Sequence, residues 1–265
     1  VLIFSPIDWL IKKIFVYMAG IKIKRMNLTS IGITGSFGKT TTKDEIFHIL
    51  APKHQVSKTE GNYNTLLGVA KTILRNLKPK HEIFICEMAA YQPGNIKEIA
   101  GLVGPKIGII TAIGPMHFER FGSMENILNT KLELIESLPK NGIGFLPKEL
   151  EPQILEYFHN SNYGSKCKIE FFSSKKELLI KIGKIFELTE EEVLGQLATM
   201  PPIQHRQQII KASGDITIID DTYNSNPAGF VFALETLKNI NAQRKILVTP
   251  GMIELGERQF ELNKD

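Results

Sequence analysis

An apolar run, Ile31-Gly32-Ile33, passes directly into Thr34-Gly35-Ser36-Phe37-Gly38-Lys39-Thr40-Thr41-Thr42 and then into a helical stretch. No other feature of the chain narrows its fold as far. A glycine-rich turn between a strand and a helix lets backbone N–H groups converge on an anion, and the positive end of the helix dipole lies over the same point. Lys39 can reach the terminal phosphates of a bound nucleotide, and the Thr40 hydroxyl can ligate magnesium. The generic nucleotide pattern wants glycine five residues before Gly38, where Ile33 stands. What remains is the shorter and more particular T-G-S-x-G-K-T-T-T.

Short apolar runs alternate with helical stretches along the rest of the chain, which predicts an α/β fold with a parallel sheet covered by helices. Strands are expected at Ser30 to Thr34, Ile83 to Glu87, Lys106 to Thr111, Gly142 to Leu146, Ile216 to Asp220 and Lys245 to Val248. Helices are expected at Lys43 to Leu50, Leu66 to Leu77, Met124 to Ser137 and Lys175 to Phe186, with another opened by Thr189-Glu190-Glu191-Glu192. Pro201-Pro202 breaks the chain, and a second α/β unit is expected to begin near Gln204.

The 32 basic and 28 acidic residues include no long basic block interleaved with aromatics, so nucleic acid is not an expected partner. Two cysteines, Cys86 and Cys167, suggest neither a disulfide framework nor a Cys-rich metal site, and the default location is the cytoplasm. The first residue is Val1, and Val1 to Lys24 is apolar but carries Asp8, Lys12 and Lys13. Two readings stand for it. One is a helix packed on the rest of the protein. The other is an interfacial helix, or the cytosolic end of a membrane segment, since Phe4, Trp9, Leu10, Phe15 and Tyr17 sit among lysines; that reading places the protein at the inner face of the membrane.

The T-G-S-x-G-K-T-T-T loop resembles the ATP loop of the Mur ligase superfamily, and further segments extend the resemblance. Thr59-Glu60-Gly61-Asn62-Tyr63-Asn64-Thr65 is similar to the family's T-x-G-N-x-N segment, which implies that Asn62, Asn64 and Thr65 help to place a uridine-nucleotide substrate. Glu87 ends an apolar strand at the carboxyl edge of the sheet, where ligands of such folds bind. By resemblance, Glu87 and His117 hold magnesium with Thr40, and Lys131 matches a lysine that becomes a carbamate and adds a further metal ligand. His205-Arg206 is similar to a family segment whose arginine contacts ATP. Asp221-Thr222-Tyr223-Asn224-Ser225-Asn226-Pro227 looks like the form found in family members that add D-alanyl-D-alanine.

The resemblance implies an amide ligase with ATP and Mg2+ as cofactors, acting on UDP-N-acetylmuramoyl-tripeptide and D-alanyl-D-alanine as a monomer. Lys39, Lys131 and His117 are the expected catalytic residues. Gly35, Ser36, Gly38, Lys39, Thr40, Thr41, Arg206, Asp221 and Asn224 would bind the nucleotide, with Tyr223 and Asn226 on the substrate. The implied organisation is an apolar and basic segment over residues 1–28, a P-loop central domain over 29–200 and the start of a Rossmann-like C-terminal ligase domain over 201–265. Two departures stand out: Thr249-Pro250-Gly251 replaces the family's L-G-D, and Ser173-Ser174-Lys175 stands where a G-x-H-N-x-x-N segment is expected. The chain reads as a piece of a longer ligase. The alternatives are a nucleotide-binding module that does not ligate, and a ligase of the folylpolyglutamate or cyanophycin type.

Overall fold

The computed structural model describes residues 5–114, 118–160, 167–203, 205–222, 227–251 and 259–264. In chain order the elements are α1 (Ser5–Lys24), β1 (Thr29–Thr34), α2 (Lys39–Leu50), β2 (Val56–Lys58), α3 (Leu66–Asn76), β3 (Ile83–Glu87), α4 (Asn95–Val103), β4 (Ile107–Ile110), α5 (Phe118–Phe121) and α6 (Met124–Glu136). They continue with β5 (Ile143–Pro147), α7 (Glu151–Asn160), β6 (Lys168–Phe172), α8 (Lys175–Ile185), α9 (Glu190–Ala198), β7 (Gln208–Ala212), β8 (Ile216–Asp220), α10 (Pro227–Asn239) and α11 (Gln259–Lys264).

Six strands form one parallel sheet in the order β2-β3-β1-β4-β5-β6. The central strands are buried on both faces, so their sequences are continuous aliphatic runs, and successive side chains still divide between the two helical layers. Ile31, Ile33, Ile83, Ile85 and Ile109 pack against α2, α8 and α9. Phe84 and Cys86 face the other way, into a core shared with α1, α3, α4 and Leu134 of α6.

On that second face Gly32, Gly108 and Gly144 are in register across β1, β4 and β5. The row makes a shallow trough in which α6 lies. A methyl group added to Gly32 would come within 2.8 Å of Leu134 Cδ1, and one on Gly108 within 3.1 Å of Leu138 Cδ1. The missing side chains therefore set how deeply α6 sits. Ser123 caps the start of α6 by accepting from Asn126 N at 3.1 Å.

Beyond Pro201-Pro202 the described residues form an antiparallel pair, β7 and β8, followed by α10. The strand expected at Lys245 to Val248 does not form: Ile246, Leu247 and Val248 are exposed and pair with no strand among the described residues. An apolar run is only a candidate strand; the ladder needs a neighbour to accept its N–H groups.

Candidate active site

The loop after β1 is built on two glycines with positive φ, Gly35 (146°) and Gly38 (82°), and Gly38 is the left-handed residue that opens α2. A side chain at Gly35 would collide with Thr111 Oγ1. Thr111 lies beneath the loop and donates to the Phe37 and Thr34 carbonyls, while Ser36 Oγ donates to Gly114 O at 2.9 Å. The end of β4 thus fixes the loop from below. Lys39 folds back over it, its ammonium donating to Gly35 O at 2.6 Å and Ser36 O at 3.0 Å. Burial pushes this lysine down to about 8, with Glu87 opposing the shift and Arg206 adding to it.

Glu87 ends β3 beside Ile33 of β1 and is 2% exposed. Its Oε2 accepts from Lys43 Nζ at 3.0 Å and its Oε1 from Asn64 Nδ2 at 3.0 Å. Burial alone would raise this carboxyl, but Lys43, Asn64 and Lys39 outweigh it and hold it below the usual carboxylate range. Lys43 lies one helical turn after Lys39 and is itself fully buried, also donating to Gly61 O at 3.1 Å. Sequence reasoning passed over Lys43; its only signal was the i, i+4 repeat of a cation on α2.

Lys131 arrives from the opposite layer on α6. It is 5% exposed, lies over the Phe121 ring at 5.9 Å, and shares with Gly35, Ser36 and Lys39 the lining of a cavity of about 20 Å³. Burial pushes it down to about 7; Lys39 adds to the shift and Glu133 opposes it. Glu133, two residues on, accepts from Gly94 N at 2.6 Å and Lys97 N at 3.0 Å and so locks α6 to the start of α4.

A second cavity, of about 450 Å³, opens between α2 and a wall formed by Met200 to Ile203, His205 and Arg206, with Thr40, Asp44, His48 and Lys58 also on its walls. Thr41 lies half-buried in the first turn of α2. Asp221, past the end of β8, accepts from Gln207 N at 3.2 Å.

The structure therefore brings Gly35, Ser36, Lys39, Glu87, Asn64 and Lys131 to one edge of the sheet, with Arg206 close enough to perturb Lys39. Thr65 has a local task as well, capping α3 by accepting from Gly68 N, and Asn62 is exposed. His117, Tyr223, Asn224 and Asn226 lie outside the described residues. Hard oxygen donors suited to Mg2+ are present in Glu87 and Thr40, and each Glu87 oxygen retains a further lone pair beyond the hydrogen bond it accepts.

The model of the Mur ligase middle domain matches residues 33–215, which is more than half of the sequence. The chain belongs to the Mur ligase family. Among relatives of this Mur ligase chain is the UDP-N-acetylmuramoyl-tripeptide--D-alanyl-D-alanine ligase of Haemophilus influenzae, 27% identical over 281 residues that cover 91% of this chain and 61% of that protein. Of solved structures, MurF from Acinetobacter baumannii superposes with a TM-score of 0.85 at 22% identity, covering 95% of this chain and 63% of that one. MurF from Thermotoga maritima in complex with ADP gives 0.79 at 25% identity, covering 95% and 66%. The chain spans about three fifths of the length of the curated relatives it matches.

Proposed function

We propose that this Mur ligase chain is the nucleotide-binding and phosphoryl-transfer core of a cytoplasmic, monomeric ligase of peptidoglycan precursor synthesis. It would join D-alanyl-D-alanine to UDP-N-acetylmuramoyl-tripeptide at the expense of ATP. The observation that carries this reading is the convergence of Lys39 and Lys131, from two opposite helical layers, on the sheet edge where β3 ends in Glu87. The Haemophilus relative and the Thermotoga structure with bound ADP supply the substrate class and the nucleotide.

A carboxylate is a poor electrophile. In the proposed reaction its oxygen attacks the terminal phosphorus of ATP and ADP leaves; the amine nitrogen then attacks the acyl carbon, and phosphate leaves with the former carboxylate oxygen. The protein's task is chiefly to hold and neutralise gathered negative charge. Lys39 exchanges its two loop carbonyls for phosphate oxygens, with the N–H groups at the start of α2 around it. Arg206 reaches the nucleotide from the wall of the larger cavity, where Thr40 also lies. Thr40 and Glu87 would hold Mg2+, joined by His117 and Lys131, and bound Mg2+ would screen the phosphate charges.

Lys131 suits the last of these roles only in an altered form. With its amine pushed down to about 7 by burial, a neutral fraction is present near neutral pH. The neutral nitrogen can attack carbon dioxide, forming an N–C bond, moving one C–O π pair onto oxygen and releasing a proton. The product is an anionic carbamate in place of a cation. Asn64 keeps Glu87 oriented, while Asn62, Thr65, Tyr223 and Asn226 are proposed to face the acyl substrate, and Thr41, Asp221 and Asn224 the nucleotide. The domain limits 1–28, 29–200 and 201–265 stay part of this reading.

The test is phosphate release that requires ATP, UDP-N-acetylmuramoyl-tripeptide and D-alanyl-D-alanine together. Lys39→Ala should lower it by roughly 10²-fold or more, since no other loop residue supplies a cation to the terminal phosphates. Unchanged turnover in that variant would remove the loop from the mechanism. Phosphate release indifferent to the dipeptide would leave a nucleotide-binding module that does not ligate.

A further inference from the structure

α1 is apolar on two opposite faces, and only one of them is used. Val16, Ala19 and Ile23 join the core beneath α3 and α4, Gly20 lies against Leu102, and Lys22 Nζ donates to Leu74 O at 2.8 Å, which fixes the helix's rotation. At about 100° per residue, Leu10, Ile14, Tyr17, Met18 and Ile21 fall on the far side. They stand open to solvent at 52, 47, 71, 51 and 37% exposure, with Trp9, Ile11 and Phe15 exposed alongside.

The charges around this helix are equally one-sided. Of the chain's 32 basic and 28 acidic residues, five and one respectively fall before residue 26, which leaves 27 of each in the rest. The whole net charge of +4 therefore belongs to the segment that carries α1. Lys78 and Lys80, in the turn after α3, join Lys22 around His81 and extend the basic patch past the end of the helix.

We propose that the outward face of α1 docks onto an anionic lipid surface. A helix with large apolar and aromatic side chains on one side and lysines along its borders lies in the plane of a membrane interface, the apolar groups entering the acyl boundary and the lysine stems reaching back to the headgroups. Lys13, stacked 3.9 Å over the Trp9 ring, and Lys24 occupy such border positions. The helix is 20 residues, or about 30 Å, long, and no helix among the described residues is long and apolar enough to cross a membrane. The proposed docking lays this helix along the surface. A second copy of the chain is a poorer occupant: in a two-fold pairing the same patch meets itself, so two sets of basic borders would face each other, whereas acidic headgroups neutralise them.

The test is flotation of the purified protein with phosphatidylcholine vesicles, with and without phosphatidylglycerol. The protein should float with the anionic vesicles, less at high salt, and remain behind with phosphatidylcholine alone. Ile14→Glu with Met18→Glu, both on the exposed face, should weaken binding by roughly tenfold or more while leaving the melting temperature unchanged. Replacing Lys13, Lys24 and Arg25 by Gln should remove most of the salt-sensitive part. Absence of flotation with anionic vesicles, or flotation that the glutamate pair leaves intact, overturns the proposal. So does a dimer in sedimentation that the same pair converts to monomer, because the face would then belong to a second copy.

Discussion

The two helical layers deliver cations to the same sheet edge by opposite physical means. On one side, α2 brings Lys39 and Lys43 toward a carboxylate: Glu87 is 2% exposed, ion-paired to Lys43 at 3.0 Å and close enough to Lys39 to oppose its loss of charge. On the other side, α6 sinks into the glycine row and brings Lys131 in where, among the described residues, no carboxylate forms an ion pair with it. Buried charge is tolerable when paired, and an unpaired lysine moves toward its neutral form instead. The α2 layer thus supplies, in Lys43, a cation paired with a buried carboxylate. The α6 layer supplies an amine that is reactive because it is uncompensated.

Removing the pairing on the α2 side should give the largest effect. Lys43→Met leaves a buried carboxylate with Asn64 and the more distant Lys39, and breaking such a pair costs about 3–5 kcal/mol. The pH dependence should change sign as well. In the natural chain the Glu87 carboxyl is held low, so its contribution is present above the ordinary carboxylate range and lost as pH falls through the depressed value. Without Lys43 burial dominates, and acidification should stabilise the variant. Denaturant unfolding from pH 4 to 8 checks both points, and adding Glu87→Gln to Lys43→Met should restore much of the stability. A single variant as stable as the natural protein would mean that the pair is not the anchor of α2.

The α6 side should yield to bulk. Gly108→Val places methyl groups where Leu134 and Leu138 already lie, about 3 Å from the glycine's missing Cβ, an overpacking that costs roughly 1–3 kcal/mol. Because α6 would be lifted from the sheet, the cavity between Lys39 and Lys131 should open and the proposed ligase turnover should fall well beyond the loss of folded protein. Leu179→Ala on α8 is the matched control. It costs about 2–5 kcal/mol in the aliphatic layer, far from Lys131, and should leave turnover per folded molecule unchanged. If both variants lose stability and turnover in the same proportion, the glycine row is packing alone.

Much of this was readable from the sequence, and the misses share a cause. The loop from Thr34 to Thr42 and the strands ending in Thr34 and Glu87 stand out because glycines, an aliphatic run and polar strand ends fall together over a few neighbouring residues. β2, three residues long, offers no period to detect, and β6 reads Lys-Ile-Glu-Phe-Phe, an edge strand whose partial alternation competes with the adjacent helical pattern. Gly32, Gly108 and Gly144 are scattered over more than a hundred residues and become a row only once the register is known. Lys43 has the same difficulty. Its partner is 44 residues away, and a lysine on a helix reads as solvated until the opposing carboxylate is placed. Apolar strength misled at Lys245 to Val248, since hydrophobicity says nothing of whether a neighbouring strand exists.

Around neutral pH, the smallest effect should come from the titration of Lys131 itself. Its amine is held near 7 in the fold against an ordinary 10.5, so between those values the unfolded chain binds more protons than the folded one. Stability should consequently rise with pH across this window: the burial penalty is full below pH 7 and relieved as the unfolded lysine also deprotonates near 10.5. Lys39, held near 8, adds a contribution of the same sign over a narrower window. Lys131→Met should flatten the rise without abolishing it, leaving the Lys39 share, and the difference between the two melting curves isolates α6 from α2. Carbon dioxide sharpens the comparison. Only the neutral amine forms a carbamate, so bicarbonate labelled with carbon-13 should give a carbamate resonance in the natural chain at pH 7, where Lys131 is more largely neutral than Lys39, that is lost in Lys131→Met and persists in Lys39→Met. A pH profile unchanged by Lys131→Met, with no such resonance, would show that this lysine keeps its proton in the fold and that the two layers do not divide the chemistry in this way.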